Sequence, residues 1–272
     1  MKKLFFMLAA IVLLMSCSKD DAQVSNNETQ TVTLTFSPYT MESMTRSATS
    51  IASVVTHLDV WITDGSTEVE AHQTNADDGF GTVSMTLDKT KTYTMYAVAH
   101  KCTTNATLSD GVIAFPDDKV THSMFYTTTF SPATTTNLSC LMNRIVADFR
   151  LDITDDFPAE CKSLRFTIAN VFDRWNVTTG GTHQLDRVST ISYNGSSSVF
   201  NVYAITTDTQ TTHDITVTAL DENDQEVQTR TFADVPLRNG YKTSYRGTFF
   251  IDTPMTMSFT VGDWNEYDTV DF

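Results

Sequence analysis

The side chains that most often carry catalysis or bind metals are spread thinly along this sequence. Its six histidines are His57, His72, His100, His122, His183 and His213. None of them forms the His-x-x-x-His spacing that places two ligands on one helix face. The Cys-x-x-Cys spacing of zinc sites, the Gly-x-Ser-x-Gly motif and the P-loop are all absent. We therefore expect no enzyme active site, no metal site and no cofactor.

One acidic stretch invites comparison with a calcium loop. Residues 221–226 (DENDQE) carry four acidic side chains, but they lack the glycine and the terminal glutamate spacing of an EF-hand. Residues 152–156 (DITDD) have the same character. We interpret both stretches as turns between strands.

Cys17 has a setting that predicts a defined modification. Lys2 and Lys3 precede an apolar run at residues 4–15, which is too short to span a bilayer and is typical of a secretory signal peptide. Cys17 follows directly after Leu14-Met15-Ser16. This arrangement resembles a bacterial lipoprotein signal, which implies removal of residues 1–16 and attachment of acyl chains to Cys17. The alternative is an ordinary signal peptide with a chance cysteine.

The residues after Cys17 point to the destination of the protein. Ser18-Lys19-Asp20-Asp21 resembles the surface-export signal of Bacteroidetes lipoproteins, which implies an outer-membrane protein, lipid-anchored and exposed at the cell surface. Several acyl chains hold a protein firmly, since each buried methylene contributes about 0.8 kcal/mol. Residues 17–30 are polar and lack periodicity, so we expect a flexible tether between the lipid and the fold.

Length and charge restrict the possible partners. A chain of 272 residues predicts one large or two small domains. Removal of residues 1–16 takes away two lysines and no acidic residue, so the formal net charge changes from −15 to −17. Such a chain is repelled by nucleic acid, whose binding depends on Lys and Arg at the phosphates. We expect no nucleic-acid partner.

Three cysteines remain after Cys17: Cys102, Cys140 and Cys161. They allow at most one internal disulfide, and the sequence cannot choose among the three pairings. An oxidising compartment permits such a bridge. Three reduced, buried cysteines that behave as small apolar residues are an equal alternative.

Alternating apolar residues predict many short strands. The predicted strands are residues 31–36, 57–63, 82–87, 91–100, 111–115, 141–153, 163–172, 198–205, 213–220, 226–232, 243–251 and 255–261. Turn residues separate them, and evidence for helices is thin. This pattern favours an all-β protein of antiparallel sandwiches. Residues 132–137 form a plausible join, which gives one domain at residues 31–137 and a second at 138–272.

With the strands placed, a family resemblance becomes visible. It rests on residues 39–47 (YTMESMTRS), 138–153 (LSCLMNRIVADFRLDI), 235–250 (VPLRNGYKTSYRGTFF) and 261–265 (VGDWN), in that order behind the lipoprotein signal. The chain resembles the fimbrillin-like surface lipoproteins of Bacteroidales, which are the subunits and anchors of type V pili. The resemblance covers most of the mature chain, although no single motif is specific.

The resemblance implies two tandem transthyretin-like β-sandwiches with Greek-key connections. It also implies assembly by strand exchange, in which proteolysis after an arginine removes the first strand and the C-terminal strand of another subunit replaces it. Arg46 occupies the corresponding position for cleavage. Val32, Leu34 and Phe36 belong to the exchanged strand. The candidate donor strand contains Met257, Phe259 and Val261.

The implied function is a fimbrial anchor, accessory or shaft subunit that supports adhesion through other fimbrial subunits and a host or bacterial surface ligand. Arg46 has an alternative as an ordinary solvated loop residue. The alternative function is a surface glycan-binding lipoprotein, in which Trp61, Trp175 or Trp264 stacks on sugar rings. Core packing is the commoner fate of such tryptophans. A hydrolase is a third class, but the paired carboxylates or the nucleophile that it requires are absent.

Overall fold

The computed structural model describes residues 28–39, 50–251 and 258–263, and these residues form an all-β fold. The strands are β1 (Thr29–Pro38), β2 (His57–Thr63), β3 (Glu68–Thr74), β4 (Thr82–Asp88), β5 (Tyr93–His100), β6 (Thr107–Ser109), β7 (Val112–Ala114), β8 (Met124–Phe130), β9 (Asn137–Arg144), β10 (Ala147–Ile153), β11 (Ser163–Asn176), β12 (Gly180–Ser192), β13 (Val199–Ala204), β14 (Thr211–Leu220), β15 (Glu226–Leu237), β16 (Tyr241–Gly247) and β17 (Ser258–Asp263). Two short 3-10 helices, Ile51–Ser53 and Pro116–Asp118, complete the described elements. The predicted all-β class is confirmed, but the sheets are not purely antiparallel as predicted, because β1 runs parallel to β9 and β10 runs parallel to β16. No helix among these residues is long and apolar enough to cross a membrane.

The N-terminal part is a seven-stranded sheet in the order β3-β2-β5-β8-β9-β1-β4. Its two halves, β3-β2-β5-β8 and β9-β1-β4, meet only where Met124 pairs with Arg144 and Phe125 pairs with Asn143. Both halves nevertheless contribute to one buried apolar cluster, to which β1, β4 and β9 supply one side and β2, β5 and β8 the other. The sheet therefore folds over, and its two halves enclose a common core.

The C-terminal part has two sheets. One has the order β13-β10-β16-β17, and the other has the order β15-β14-β11-β7-β6, with β12 paired to β11 as well. Their shared core is built around Phe149 of β10, whose ring centroid lies 6.4 Å from that of Phe166 and 5.9 Å from that of Phe232. Because β11 and β15 lie in the second sheet, these contacts join the two sheets face to face.

Alternating burial explains why these segments are strands. In β4 the side chains of Val83, Met85 and Leu87 point into the core and the residues between them are exposed. Strand β2 departs from this pattern, because all residues from Leu58 to Ile62 are buried. Its second face is covered by a further cluster that includes Trp61.

This further cluster joins the N-terminal part to the C-terminal part. It contains Trp61 and Phe125 from the first and Trp175 and Ile205 from the second. The rings of Phe125 and Trp175 have their centroids 5.7 Å apart. In addition, β6 and β7, which lie between β5 and β8 in the chain, form a hairpin whose second strand pairs with β11. The two parts are thus packed together by apolar contacts and by a shared sheet.

Arg187 of β12 adds a polar connection at the same junction. Its guanidinium donates hydrogen bonds to the backbone carbonyls of Tyr203 (3.0 Å), Asp118 (3.1 Å) and Val120 (2.9 Å). Burial lowers the pKa of Arg187, with the nearby Asp173 carboxylate acting in the opposite direction. A single buried side chain therefore satisfies three carbonyl groups of two separate chain segments.

Most predicted strands are confirmed, and the main correction concerns residues 141–153. This run is two strands, β9 and β10, separated by the buried pair Ile145 and Val146. β9 pairs with β1 and β8, whereas β10 pairs with β13 and β16. The buried apolar residues are Cys140 and Met142 in β9 and Phe149, Leu151 and Ile153 in β10, so they change from even to odd positions at the break. The prediction followed the odd-numbered series and missed this change, which accompanies the passage of the chain from one sheet to another.

Strands β3, β6, β8 and β12 were not predicted. β3 and β12 are largely exposed and polar, and β8 contains a run of three threonines. Strands of this kind lack the apolar alternation on which the prediction depends. Their pairing partners, and not their own composition, hold them in the sheets.

The cysteine alternatives are settled for the three residues that the structure describes. Cys102, Cys140 and Cys161 are free and buried. Burial raises the pKa of the Cys140 thiol to about 12, and it raises the pKa of Cys161 above its ordinary value. Because the thiolate is the reactive form, these two groups are chemically inert at neutral pH.

The junction contains a histidine that predicts acid sensitivity. His122 is buried, its ring stacks on that of Tyr203 at 6.0 Å, and Arg144 Nε lies 2.9 Å from His122 Nε2. Burial, together with the positive charges of Arg144, Lys101 and Lys242, lowers the pKa of His122 to about 3. The ring is therefore neutral and accepts a hydrogen bond from Arg144.

We expect the wild type to lose stability in mild acid because of this group. In the unfolded chain the pKa of histidine is about 6.5, so below that pH the unfolded state binds a proton that the folded state excludes. The free energy of unfolding therefore falls by up to about 1.4 kcal/mol for each pH unit below about 6.5. His122→Gln keeps an acceptor but does not titrate. Urea unfolding at pH 7.5 and pH 4.5 should therefore show a smaller acid loss in the variant. Equal losses in both proteins would contradict the assignment.

Candidate strand-exchange site

Strand β1 is paired on both sides. It runs antiparallel to β4, from the pair Thr29–Asp88 to the pair Thr35–Thr82, and parallel to β9, from Thr33–Asn137 to Pro38–Met142. Strand β4 forms the edge of this sheet. Removal of β1 would therefore leave two strands, β4 and β9, with unpaired backbone groups facing the same gap.

The two faces of β1 differ in chemistry. Val32, Leu34 and Phe36 are 0, 0 and 3 % exposed and belong to the N-terminal core. On the other face, the hydroxyl of Thr31 lies 3.3 Å from that of Thr86, and the hydroxyl of Thr33 lies 3.2 Å from that of Ser84. The predicted exchanged-strand residues thus form an apolar row that fills a groove between the two halves of the folded sheet.

The buried residue Gly81 contacts both the end of β1 and the short helix that contains Ile51. Phe36 N–H donates to the Gly81 carbonyl (2.8 Å), and Ile51 packs on Gly81 so closely that a Cβ there would lie 2.6 Å from Ile51 Cγ2. Gly81 also has a φ of +90°, which favours glycine. Arg46 itself, and Cys17, lie outside the described residues. On either side of residues 40–49 the described chain is held in the fold, by the pairing of β1 up to Pro38 and by the packing of Ile51 on Gly81.

The candidate donor strand corresponds in part to β17. This strand lies at the edge of the four-stranded sheet and runs antiparallel to β16, where Phe259 pairs with Tyr245 and Val261 pairs with Thr243. Met257 lies outside the described residues. Among the described strands β17 pairs with β16 alone, so its release would break that ladder.

Asp155 and Arg230 fix the chain shortly before β17. Asp155 Oδ1 accepts the N–H of Phe249 (2.7 Å), and Oδ2 accepts those of Phe250 (2.7 Å) and Ile251 (2.9 Å). Arg230 donates to the carbonyls of Phe249 and Ile251. Burial alone would raise the pKa of Asp155, but the three N–H donors outweigh it and the pKa lies below its ordinary value. The sequence predicted only a turn here, since any acidic residue after a strand has the same local pattern.

Three of the scattered histidines converge in the fold, on the buried carboxylate of Asp59. His72 Nδ1 lies 2.7 Å from Asp59 Oδ1, His100 Nε2 lies 2.8 Å from Oδ2, and the ring of His57 stacks on that of His100. The N–H of Ala106 also donates to Oδ2 (2.9 Å). Among the described residues, no group of three or more His, Cys, Asp or Glu side chains is placed to hold a metal ion. The cluster ties β2, β3 and β5 to the loop before β6.

Two other features considered from the sequence are structural. Trp61 and Trp175 are 2 and 8 % exposed and pack in the core between the two parts, while Trp264 lies outside the described residues. Asp221 accepts the N–H groups of Asn223 and Gln225, both at 2.8 Å, in the turn between β14 and β15. The prediction of a hairpin turn at residues 221–226 is confirmed.

Phe36→Ala tests how strongly the N-terminal core depends on β1. Removing a buried aromatic ring leaves a cavity and should lower the free energy of unfolding by about 3–5 kcal/mol. Thr35→Ala, one residue away on the exposed face, is the matched control and should cost less than about 0.5 kcal/mol. Chemical denaturation of both variants measures the difference, and a small effect at Phe36 would show that β1 is dispensable for the core.

Asp155→Ala tests the anchor before β17. Loss of a carboxylate that accepts three backbone N–H groups should lower the free energy of unfolding by about 2 kcal/mol and speed amide exchange at residues 249–251. The neighbouring carboxylate Asp156 is exposed and makes no hydrogen bond with the described residues, so Asp156→Ala is the control. If both variants exchange at the same rate, Asp155 is not the anchor.

Comparison with known proteins gives matches only at the level of structure. No protein-family model matches the sequence, and no curated protein matches it. A candidate adhesin from Bacteroides ovatus superposes with a TM-score of 0.54 at 14 % identity, covering 87 % of this chain and 94 % of the other. A candidate cell adhesion protein from Bacteroides uniformis gives a TM-score of 0.52 at 16 % identity, covering 88 % and 100 %.

A third structure has a different description. It is a candidate polysaccharide-binding protein from Bacteroides thetaiotaomicron, with a TM-score of 0.54 at 8 % identity, covering 86 % of this chain and 98 % of the other. Sequence identities this low establish a common fold and nothing further. The resemblance found in the sequence is thereby confirmed at the level of the fold: over most of its length this chain has the fold of Bacteroides proteins described as candidate adhesins and cell adhesion proteins.

Proposed function

We propose that this protein is a surface-exposed outer-membrane lipoprotein that serves as a fimbrial anchor, accessory or shaft subunit and assembles by β-strand exchange. The observation that carries the proposal is the position of β1. This N-terminal strand is paired on both sides, and its side chains Val32, Leu34 and Phe36 are buried in the core. The segment that follows it in the sequence contains Arg46. A strand in this position can be replaced by another of the same pattern.

The proposed architecture is two tandem β-sandwiches. The folded seven-stranded sheet would be the first, and the two C-terminal sheets would be the second. Because β9 pairs with β1, we place the join at residues 145–146 and not at 137/138. The hairpin β6–β7 and the cluster around Trp175 would hold the two sandwiches together.

The energetics favour exchange over simple loss of β1. Exposing three buried apolar side chains costs about 1.5–3 kcal/mol for each, in addition to the unpaired backbone groups of β4 and β9. A sandwich without β1 would therefore bind an incoming strand with apolar residues at every second position. The predicted donor at residues 255–261 has such an alternation in Met257, Phe259 and Val261.

Donation requires β17 to leave while the rest of its sandwich stays intact. The contacts of Asp155 and Arg230 with residues 249–251 support this division, since they fix the chain on the near side of β17 without involving β17 itself.

Lipid anchoring at Cys17 and cleavage after Arg46 have opposite effects on attachment to the membrane. The acyl chains proposed at Cys17 hold the protein at the outer membrane, and cleavage after Arg46 would separate the fold from them. An anchor subunit therefore keeps β1 and Cys17, whereas a shaft subunit loses both. Other fimbrial subunits are the proposed partners in either role, with a host or bacterial surface molecule as the ligand for adhesion. No enzymatic activity is part of the proposal.

A glycan-binding surface lipoprotein is the second candidate function. The observation that favours it is the structural similarity to a protein described as polysaccharide-binding. The tryptophans Trp61 and Trp175 do not contribute to this function, because both are buried in the core.

Limited proteolysis distinguishes the roles. Purified protein beginning at Ser18 is treated with an arginine-specific protease, the new N-terminus is sequenced and the size is followed by gel filtration. Cleavage after Arg46 followed by denaturant-resistant oligomers is the expected result for a shaft subunit. Arg46→Gln should abolish both the cleavage and the oligomers.

Resistance at Arg46 together with a stable monomer would exclude the shaft role and leave an anchor. In that case we expect the native wild-type monomer not to bind a synthetic peptide of residues 255–261. The peptide should bind only when the protein is denatured and refolded in its presence. Cleavage at other arginines without oligomers would contradict strand exchange at β1.

A further inference from the structure

A polar cleft lies at the end of the four-stranded sheet in the C-terminal part, far in sequence from β1. It has a volume of about 430 Å³. Its floor is formed where β10 ends, beside Arg246 of β16, and its walls are the loop at residues 154–157 and the turn at residues 193–198. The volume falls within the roughly 300–1,000 Å³ typical of small-molecule sites.

The cleft has an aromatic end. The rings of Phe157 and Tyr193, one from each wall, stack with their centroids 4.0 Å apart and their planes at 14°. Phe157 also packs against Phe250 at 5.0 Å, which fixes the pair on the sandwich core. Both rings are only half-buried. The cleft therefore offers a rigid apolar surface beside its polar groups, and stacking holds that surface in place without a ligand.

Some polar groups of the cleft already have hydrogen-bond or ion-pair partners within the protein, and others are open to solvent. Both oxygens of Asp155 accept backbone N–H groups, and Asp152 Oδ2 lies 3.6 Å from Arg246 Nε. Asp156 is exposed and has no partner among the described residues. The side chain of Arg246 is 71 % exposed, so its remaining N–H donors face solvent. Asp156 and Arg246 are thus an acceptor and a donor available to a ligand across one cleft.

The charge of the cleft limits the class of ligand. Asp152, Asp155 and Asp156 outnumber the one guanidinium of Arg246, so an acidic ligand would be repelled. A metal ion is disfavoured, since the described residues contain no suitable group of three ligands and Asp155 is already saturated. What fits is a neutral or aminated molecule with neighbouring hydroxyl groups, which can donate to a carboxylate and accept from a guanidinium. The apolar face of such a ring would contact Tyr193.

We infer that this cleft binds a neutral or amino sugar, as a mono- or disaccharide unit at the end of a longer glycan. Asp156 accepts hydrogen bonds from two adjacent hydroxyls, Arg246 donates to a ring or hydroxyl oxygen, and Tyr193 packs on the C–H face of the pyranose. The inference rests on the glycan-binding function, the second candidate above, and not on strand exchange, because none of the described residues that line the cleft belongs to β1 or β17.

Saturation-transfer NMR on the protein beginning at Ser18 tests the site. The probes are the methyl glycosides of mannose, galactose, glucosamine and N-acetylglucosamine, with methyl glucuronide as the acidic comparison. We expect at least one neutral or amino sugar to bind with a Kd of about 1 mM, as for a small site with few polar contacts, and the glucuronide not to bind. Asp156→Asn and Arg246→Gln should each weaken binding at least about fivefold.

Glu222→Gln, which removes an exposed carboxylate in the turn between β14 and β15, is the matched control and should bind as the wild type does. Urea unfolding of the four proteins shows whether each variant is folded. Absence of transfer to every probe would overturn the inference, as would unchanged affinity in both cleft variants or preferential binding of the glucuronide. Purified mucin O-glycans in one arm and a bacterial mannan in another then distinguish a host source of the sugar from a bacterial one.

Discussion

The N-terminal part depends on one constraint, which is that β1 must be paired on both sides. Its parallel partner β9 is about a hundred residues away in the sequence, and its antiparallel partner β4 lies at the sheet edge. Strand pairing joins the two halves of the sheet at two residue pairs only, both between β8 and β9. β1 therefore brings the apolar row of Val32, Leu34 and Phe36 into a core that neither half could close by itself.

The sequence predicted the strands with apolar alternation well, including β4, because alternate burial is a local property. It missed the break at residues 145–146, although the buried positions change there from even to odd numbers as the chain changes sheet. It also missed β3 and β12, whose exposed polar residues become strands through their neighbours. Burial of Val32, Leu34 and Phe36 agrees with the predicted strand. Arg46, Cys17 and Met257 lie outside the residues that the structure describes.

Long-range side-chain contacts are the features that sequence reasoning could least supply. The three donors on Asp155 come from residues more than ninety positions away, and the histidines around Asp59 are separated by up to 43 positions in the chain. Neither set has a local signature. Arg187 illustrates the same point, since its three carbonyl acceptors can be recognised only when β12 and residues 118–120 are side by side. Such contacts fix the loops and the junction, whereas periodic apolar residues fix the sheets.

The pairing of β1 also has a mechanical consequence. A pull on the chain that precedes Thr29 acts along the axis of β1, and the ladders to β4 and β9 lie side by side along that axis. Such a load is shared by many hydrogen bonds at once and shears them together, whereas a perpendicular load would open them one after another. If the protein is anchored at its N-terminus as proposed, tension would act first on β1, the strand that completes the N-terminal core. The same ladders that make β1 difficult to remove would make the protein a strong link under flow.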